Sequence, residues 1–221
     1  VYIIILGAPG SGKGTQGQLI TQSFGIPAIS TGDLLREVTK NSLDPLAKEI
    51  AAKLDQGLLV TNDLIIKVLQ KRLNQGDCAK GFILDGFPRS LEQAKLINQI
   101  CNLEETFIIN LEVKLELLIE RLTGRFSCND CNSLYNKFLS PTHKEGICDN
   151  CGSHNFTSRS DDEASIIEKR IKVYQEETIP VIQYYSDLIK EKLVKMKTFD
   201  GTMKPDELFK EINSFILSWQ K

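Results

Sequence analysis

The chain has 221 residues, 25% of them charged, and a net charge of −2. That length accommodates one domain with insertions around a substantial core. The charge balance argues against a protein whose main task is gripping a nucleic-acid backbone, which needs a basic surplus. No apolar run approaches the roughly 18 residues of a membrane span. The short apolar start has no basic flank and no small-residue cleavage site, so a cytoplasmic protein is expected, with cysteines reduced or metal-bound.

The first element is the apolar, β-branched stretch Tyr2–Leu6, which predicts a buried parallel strand. It runs into Gly7-Ala8-Pro9-Gly10-Ser11-Gly12-Lys13-Gly14-Thr15 and then into a helix predicted over Gln16–Phe24, closed by Gly25. Strand, glycine loop, helix is the setting of a phosphate loop. Glycines let successive amides turn toward phosphate oxygens, the helix N-terminus adds partial positive charge, and Lys13 adds a full one. Gly10, Ser11, Gly12, Lys13, Gly14 and Thr15 are therefore candidate triphosphate ligands. An ordinary strand–turn–helix corner is the bland alternative. Four glycines with Lys13 and Thr15 in this setting argue against it. Gly14 stands where the general pattern has a Mg²⁺-binding hydroxyl, so a metal held by substrate phosphates and water is expected.

Further strands are predicted at Pro27–Ser30, Gly81–Asp85, Thr106–Leu111 and Lys195–Phe199. Helices are predicted at Thr61–Gln75, Ser90–Ile100, Lys114–Thr123, Asp162–Lys190 and Pro205–Trp219. This alternation predicts an α/β fold: a parallel sheet with helices on both faces and ligands at the carboxyl ends of its strands. Asp85, ending an apolar strand, has the form of a carboxylate that holds magnesium through water. Two segments break the rhythm and read as insertions. Thr31–Val60 predicts two short helices without a strand. Phe126–Arg159 is rich in Cys, Asn, Ser, Gly and His.

Within the second insertion, Cys128-x-x-Cys131 and Cys148-x-x-Cys151 lie 16 residues apart, a structural zinc spacing. Four thiolates close the coordination shell, so Zn²⁺ would be structural and would replace a core that so small a segment cannot build. Redox disulfides or surplus thiols are the alternatives. Both histidines also fall in this insertion, which removes the commonest general base from the rest of the chain. Arg36, Arg89, Arg121, Arg125, Arg159 and Arg170 sit at loop edges or beside the insertions. A phosphate loop with no general base and many arginines suits phosphoryl transfer to an acceptor that is itself a phosphate.

Taken together, these residues resemble the adenylate kinase family in its bacterial, long-lid, zinc-containing form, and the likeness spans nearly the whole chain. The resemblance implies a P-loop NTPase-type five-stranded parallel sheet with two mobile insertions. It divides the chain into a core of residues 1–29, 61–124 and 162–221, an AMP-binding insertion at 30–60 and a zinc-stapled lid at 125–161. It implies ATP contacts from residues 10–15, Arg121, Arg125, Leu134, Tyr135 and Met203. It implies AMP contacts from Thr31, Arg36, Leu58, Leu59, Val60, Gly86, Phe87, Pro88, Arg89, Gln93, Arg159 and Arg170. Lys13, Arg89, Arg125, Arg159 and Arg170 would act on the transferring phosphoryl group. Asp85 would hold Mg²⁺ through water, and Cys128, Cys131, Cys148 and Cys151 would hold zinc. The implied reaction is MgATP plus AMP giving two ADP, in a monomer that binds neither nucleic acid nor membrane. A kinase for another nucleoside monophosphate is the nearest alternative. A zinc-ribbon nucleic-acid-binding ATPase is the alternative of a different class.

Overall fold

The computed structural model describes residues 1–40, 45–97, 100–191 and 193–218. Its strands are β1 (Tyr2–Gly7), β2 (Ala28–Ser30), β3 (Phe82–Asp85), β4 (Thr106–Glu112), β5 (Arg125–Cys128), β6 (Leu134–Asn136), β7 (Phe156–Thr157) and β8 (Lys195–Asp200). Its helices are α1 (Lys13–Phe24), α2 (Thr31–Lys40), α3 (Pro45–Asp55), α4 (Asn62–Leu73), α5 (Leu91–Leu96), α6 (Leu115–Thr123), α7 (Ala164–Val173), α8 (Ile179–Lys190) and α9 (Pro205–Leu217). Five strands form one sheet in the order β2-β3-β1-β4-β8, and every pairing in it is parallel. A smaller antiparallel sheet has the order β6-β5-β7.

The central strand explains the layering. Ile3, Ile4 and Ile5 are fully buried and Leu6 is 2% exposed, because helices cover both faces of the sheet. Side chains alternate along a strand. Ile4, Leu6, Leu84 and Ile108 therefore pack on one face with Leu64, Leu69 and Tyr185. Ile3, Ile5, Ile83, Phe107 and Ile109 pack on the other with Ile20, Leu208 and Ile212. A parallel sheet puts all its carboxyl ends on one edge, so the loop after β1, Thr31 after β2 and Gly86–Arg89 after β3 gather there.

All five strands of the main sheet lie where the sequence predicts them. Pro27 falls just outside β2, since it has no N–H to pair, yet its carbonyl accepts from Ile83 N at 2.9 Å. Helix α1 begins at Lys13, three residues earlier than expected, so the lysine sits in the helix's first turn. Of the helix expected over Ser90–Ile100, α5 covers Leu91–Leu96, and positions 98 and 99 lie outside the described residues. Trp219, the expected end of the last helix, also lies outside them.

Two differences have physical causes. The single helix expected over Asp162–Lys190 is instead a 3₁₀ turn (Ser160–Asp162), α7, a π-helical turn (Tyr174–Thr178) and α8. Pro180 lacks an amide proton, and its ring crowds the carbonyl four residues back; widening the preceding turn relieves both problems. The second insertion holds three short strands that the sequence reading did not foresee. At two to four residues, they are too short to show an alternating pattern.

Candidate active site

The loop between β1 and α1 carries Gly10 at φ 82° and Gly12 at φ 98°. Gly12 is the N-cap of α1, and space around its missing side chain is open, so its backbone conformation alone calls for glycine. The Ser11 hydroxyl is fully buried and finds no partner among the described residues, an orphan that a phosphate oxygen would satisfy. Lys13 Nζ folds back to donate to the carbonyls of Gly7 and Ala8, each at 2.8 Å. Burial lowers the Lys13 pKa to about 8. Asp85 opposes that shift, while Arg89, Arg170 and Arg125 reinforce it. All four therefore lie within electrostatic reach of the loop.

Beside it lies a cleft lined by Thr31, Gly32, Leu35, Leu54, Leu58, Leu59, Val60, Ile65, Gly86, Phe87, Arg89 and Gln93. Every AMP residue expected from the segments 57–60 and 86–93 lines it except Pro88. Thr31 donates to Gly86 O at 2.8 Å, tying α2 to the loop after β3. Arg89 Nε donates to Gly86 O at 2.7 Å, and Arg89 N donates to Gln93 Oε1 at 2.8 Å. Gln93, 3% exposed, also donates from Nε2 to Asn62 Oδ1 at 3.0 Å. One amide hydrogen and one lone pair remain on it to read a base edge.

Around the cleft, arginines are strung on three carboxylates. Asp33 Oδ1 accepts from Arg36 and, at 3.2 Å, from Arg159. Partial desolvation by the surrounding protein would raise the Asp33 carboxyl, but Arg159 and Arg36 outweigh it and hold the pKa below the usual range. Asp162 receives Arg125 in a bidentate fork at 2.7 and 2.6 Å, and Arg170 at 2.8 Å. Arg170 also meets Asp161 Oδ2 at 3.1 Å. Arg89 pairs with no carboxylate among the described residues. Burial lowers its pKa, and Arg170 adds to the effect. Burial with Arg125 and Arg36 close by brings Arg159 down to about 10. Cations crowded to this degree form a site for a polyanion.

The remaining expected ATP residues scatter more. Arg121, in the last turn of α6, donates to Gly201 O at 2.8 Å and to Gly10 O at 3.4 Å. Met203 packs at the edge of the core cluster that contains Phe199 and Leu208. Leu134 lies over the phosphate loop, its Cδ1 3.5 Å from where a Cβ on Gly14 would sit. Asp85 Oδ2 lies 3.6 Å from that same point, which places the carboxylate beside the loop. The Tyr135 hydroxyl meets Cys148 Sγ at 3.2 Å and accepts from Asp149 N at 2.9 Å.

The sulfurs of Cys128, Cys131, Cys148 and Cys151 lie within 4.8 Å of one another. Cys128 Sγ lies 3.6 Å from Cys151 Sγ, and Cys131 Sγ 3.5 Å from Cys148 Sγ. A tetrahedron with 2.3 Å metal–sulfur bonds has edges of roughly 3.8 Å, so the four thiols fit one metal ion. Asn129 N donates to Asn155 O and Cys128 N to Ser133 O, which closes the knuckles by backbone bonds.

Sequence reasoning missed Asn62, which holds Gln93, and Thr178, whose hydroxyl donates to Arg89 O at 2.8 Å. Neither sits in a recognisable pattern. Asp33, shared by Arg36 and Arg159, was missed as well.

A family model described as adenylate kinase matches residues 5–190. The chain is similar to the adenylate kinase of Thermodesulfovibrio yellowstonii, with 43% identity over 213 residues, 95% of this chain and 96% of that one. It is 44% identical over 185 residues to that of Nitrosococcus oceani, covering 82% and 85% of the two chains. Against that of Lachnoclostridium phytofermentans it is 41% identical over 214 residues, 95% of each. With a phosphate loop, an arginine-ringed cleft beside it and relatives matched over nearly their full length, the chain belongs to the adenylate kinase family.

Proposed function

We propose that the chain transfers the terminal phosphoryl group of MgATP to AMP, giving two ADP. The observation that carries this reading is the convergence of Lys13, Arg89, Arg125 and Arg170 between the phosphate loop and the cleft lined by Thr31, Gly86 and Gln93. Two phosphate-bearing ligands meeting there need cations to offset their repulsion, and an acceptor phosphate needs no general base. Lys13 would leave the carbonyls of Gly7 and Ala8 for the β- and γ-phosphates. Arg89 and Arg36 would hold the AMP phosphate, and Arg125, Arg159 and Arg170 would neutralise charge that develops in flight. Arg121 and Met203 would flank the adenine of ATP, and Leu58, Leu59, Val60 and Gln93 that of AMP.

Magnesium would ride on the ATP phosphates, with Asp85 holding one of its waters. The ion would supply charge neutralisation of the phosphates. Zinc on the four cysteines would be structural, since its shell is full. In this reading residues 30–60 and 125–161 are the two covers that close over a core formed by the rest. Closure excludes water, which would otherwise accept the phosphoryl group.

The test is phosphate transfer from ATP to AMP, CMP, UMP and GMP in parallel. AMP should be preferred by a wide margin. Comparable turnover with CMP or UMP would instead identify a broader nucleoside monophosphate kinase, and ATP hydrolysis without transfer would sink the reading.

A further inference from the structure

Asn136 is a polar residue buried to 8% exposure at the root of the small sheet, and its amide makes three hydrogen bonds. Its Nδ2 donates to Arg121 O at 2.8 Å. Its Oδ1 accepts from Phe138 N at 2.9 Å and from Leu139 N at 3.1 Å. The last carbonyls of a helix have no partner within the helix. Helix α6 ends at Thr123 and the chain turns into β5 at Arg125, which leaves Arg121 O to be met from outside. One side chain thus caps the end of α6 with its donor and closes the 136–140 turn with its acceptor. Asn136 N and O pair with Ser140 O and N, and Lys137 N donates to Gly124 O, so the turn itself is rigid.

Gly124 is built to receive this amide. A Cβ there would lie 2.6 Å from Asn136 Oδ1 and 2.7 Å from Phe138 Cδ2. Its backbone, at φ −88° and ψ −6°, suits any residue, so the space, not the conformation, calls for glycine.

We infer that Asn136 is a positioning residue for the ATP half of the reaction: it clasps the small sheet to the last turn of α6 and so sets Arg121 and Arg125 relative to each other. This rests on the phosphotransfer reading above. The chain joins the sheet to the core at Gly124–Arg125 and again at Arg159–Asp162, and the Lys137 N bond to Gly124 O and the Arg125–Asp162 fork hold it there. The Asn136 amide adds a tie inside the last turn of α6, on Arg121, whose guanidinium reaches Gly201 O and Gly10 O. The AMP cleft, lined from α2, α4 and the loop after β3, has no part in it.

The test is Asn136→Asp. An aspartate keeps an acceptor for Phe138 N and Leu139 N, so the turn survives. It turns a carboxylate oxygen toward Arg121 O at the negative end of α6, so the clasp opens. KM for ATP should rise about tenfold, the worth of one hydrogen bond made unfavourable. KM for AMP and bound-metal content should stay near wild type. Gly124→Ala, which displaces the amide sterically, should reproduce the split independently and carries the test if the aspartate variant does not fold. The double variant should be no worse than either single one. Unchanged KM for ATP in the folded variants, or equal losses on both substrates together with a lower melting temperature, would overturn the inference. Wild-type protein that fails to phosphorylate AMP would overturn the parent reading instead.

Discussion

Lys13 shows how burial sets a residue's pH range. Its pKa of about 8 means that it carries its charge below that pH and loses it above. Bound phosphates favour the charged form and raise the value again. The kcat/KM for ATP should therefore fall as pH rises through about 8, while kcat stays level, since kcat reports the bound complex. In Lys13→Arg, which cannot deprotonate, that basic limb should vanish even though turnover drops; a limb that persists would assign the titration to another group. Arg89 differs because it pairs with no carboxylate among the described residues, a place a phosphate can take. Arg89→Ala should cost several orders of magnitude in turnover, about 3–5 kcal/mol if the contact acts mainly in the transition state. Its melting temperature should hold. Near-normal turnover at saturating AMP would make Arg89 peripheral.

At the level of elements, the π-helical turn and the cysteine knuckles each bring a side chain to a place local sequence does not announce. The widened turn before Pro180 leaves Thr178 buried with its hydroxyl on Arg89 O. Thr178→Val removes that bond at nearly constant shape. It should raise KM for AMP several-fold and leave KM for ATP unchanged; an unchanged KM for AMP would reduce the contact to packing. In the knuckles, burial alone would raise the Cys148 thiol, but bonds from Tyr135 and from the backbone at Asn150 and Cys151 outweigh it and favour the thiolate a metal needs. Cys148→Ser, or chelation, should lower the melting temperature while a chilled sample keeps substantial activity. Tyr135→Phe should release the metal faster to a chromogenic chelator. An apo protein that melts unchanged but is catalytically dead would give the metal a chemical role.

At the scale of the whole molecule, the two insertions touch each other and the second reaches the phosphate loop. Arg159 reaches across to Asp33, Ser160 Oγ donates to Asp55 Oδ1 at 3.1 Å, and Leu134 covers Gly14. The first contact pairs an arginine beside the small sheet with a carboxylate on α2. Asp33 is largely exposed, so the pair contributes little, within the ~1 kcal/mol ceiling of surface pairs. Asp33→Asn should shift the ligand-free population toward open by up to about fivefold, read as a longer distance between labels on α3 and β6. High salt should do the same to wild type and less to the variant. Equal distance distributions in both proteins would show that packing alone closes the molecule. Among the described residues no helix is long and apolar enough to cross a membrane.

How much was legible beforehand follows from the range of the forces involved. Main-sheet strands, the phosphate loop and the cysteine spacing could be read from the chain, because burial on both faces of a sheet, phosphate binding by consecutive amides and paired knuckles are written in neighbouring residues; the Gly86–Arg89 segment was legible only through the family resemblance. The break at Tyr174–Thr178 could have been suspected from Pro180, but not its consequence for Arg89, which lies 89 positions away from Thr178. The sharing of Asp33 by Arg36 and Arg159, the hold of Asn62 on Gln93, the turn of Tyr135 toward Cys148 and the clasp of Asn136 on Arg121 were decided by tertiary structure alone. Each joins polar groups that only the folded chain brings together, and a hydrogen bond over about 3 Å leaves no periodic trace in a sequence. Sequence by itself determined which chemistry is present; the fold decided which side chain holds which.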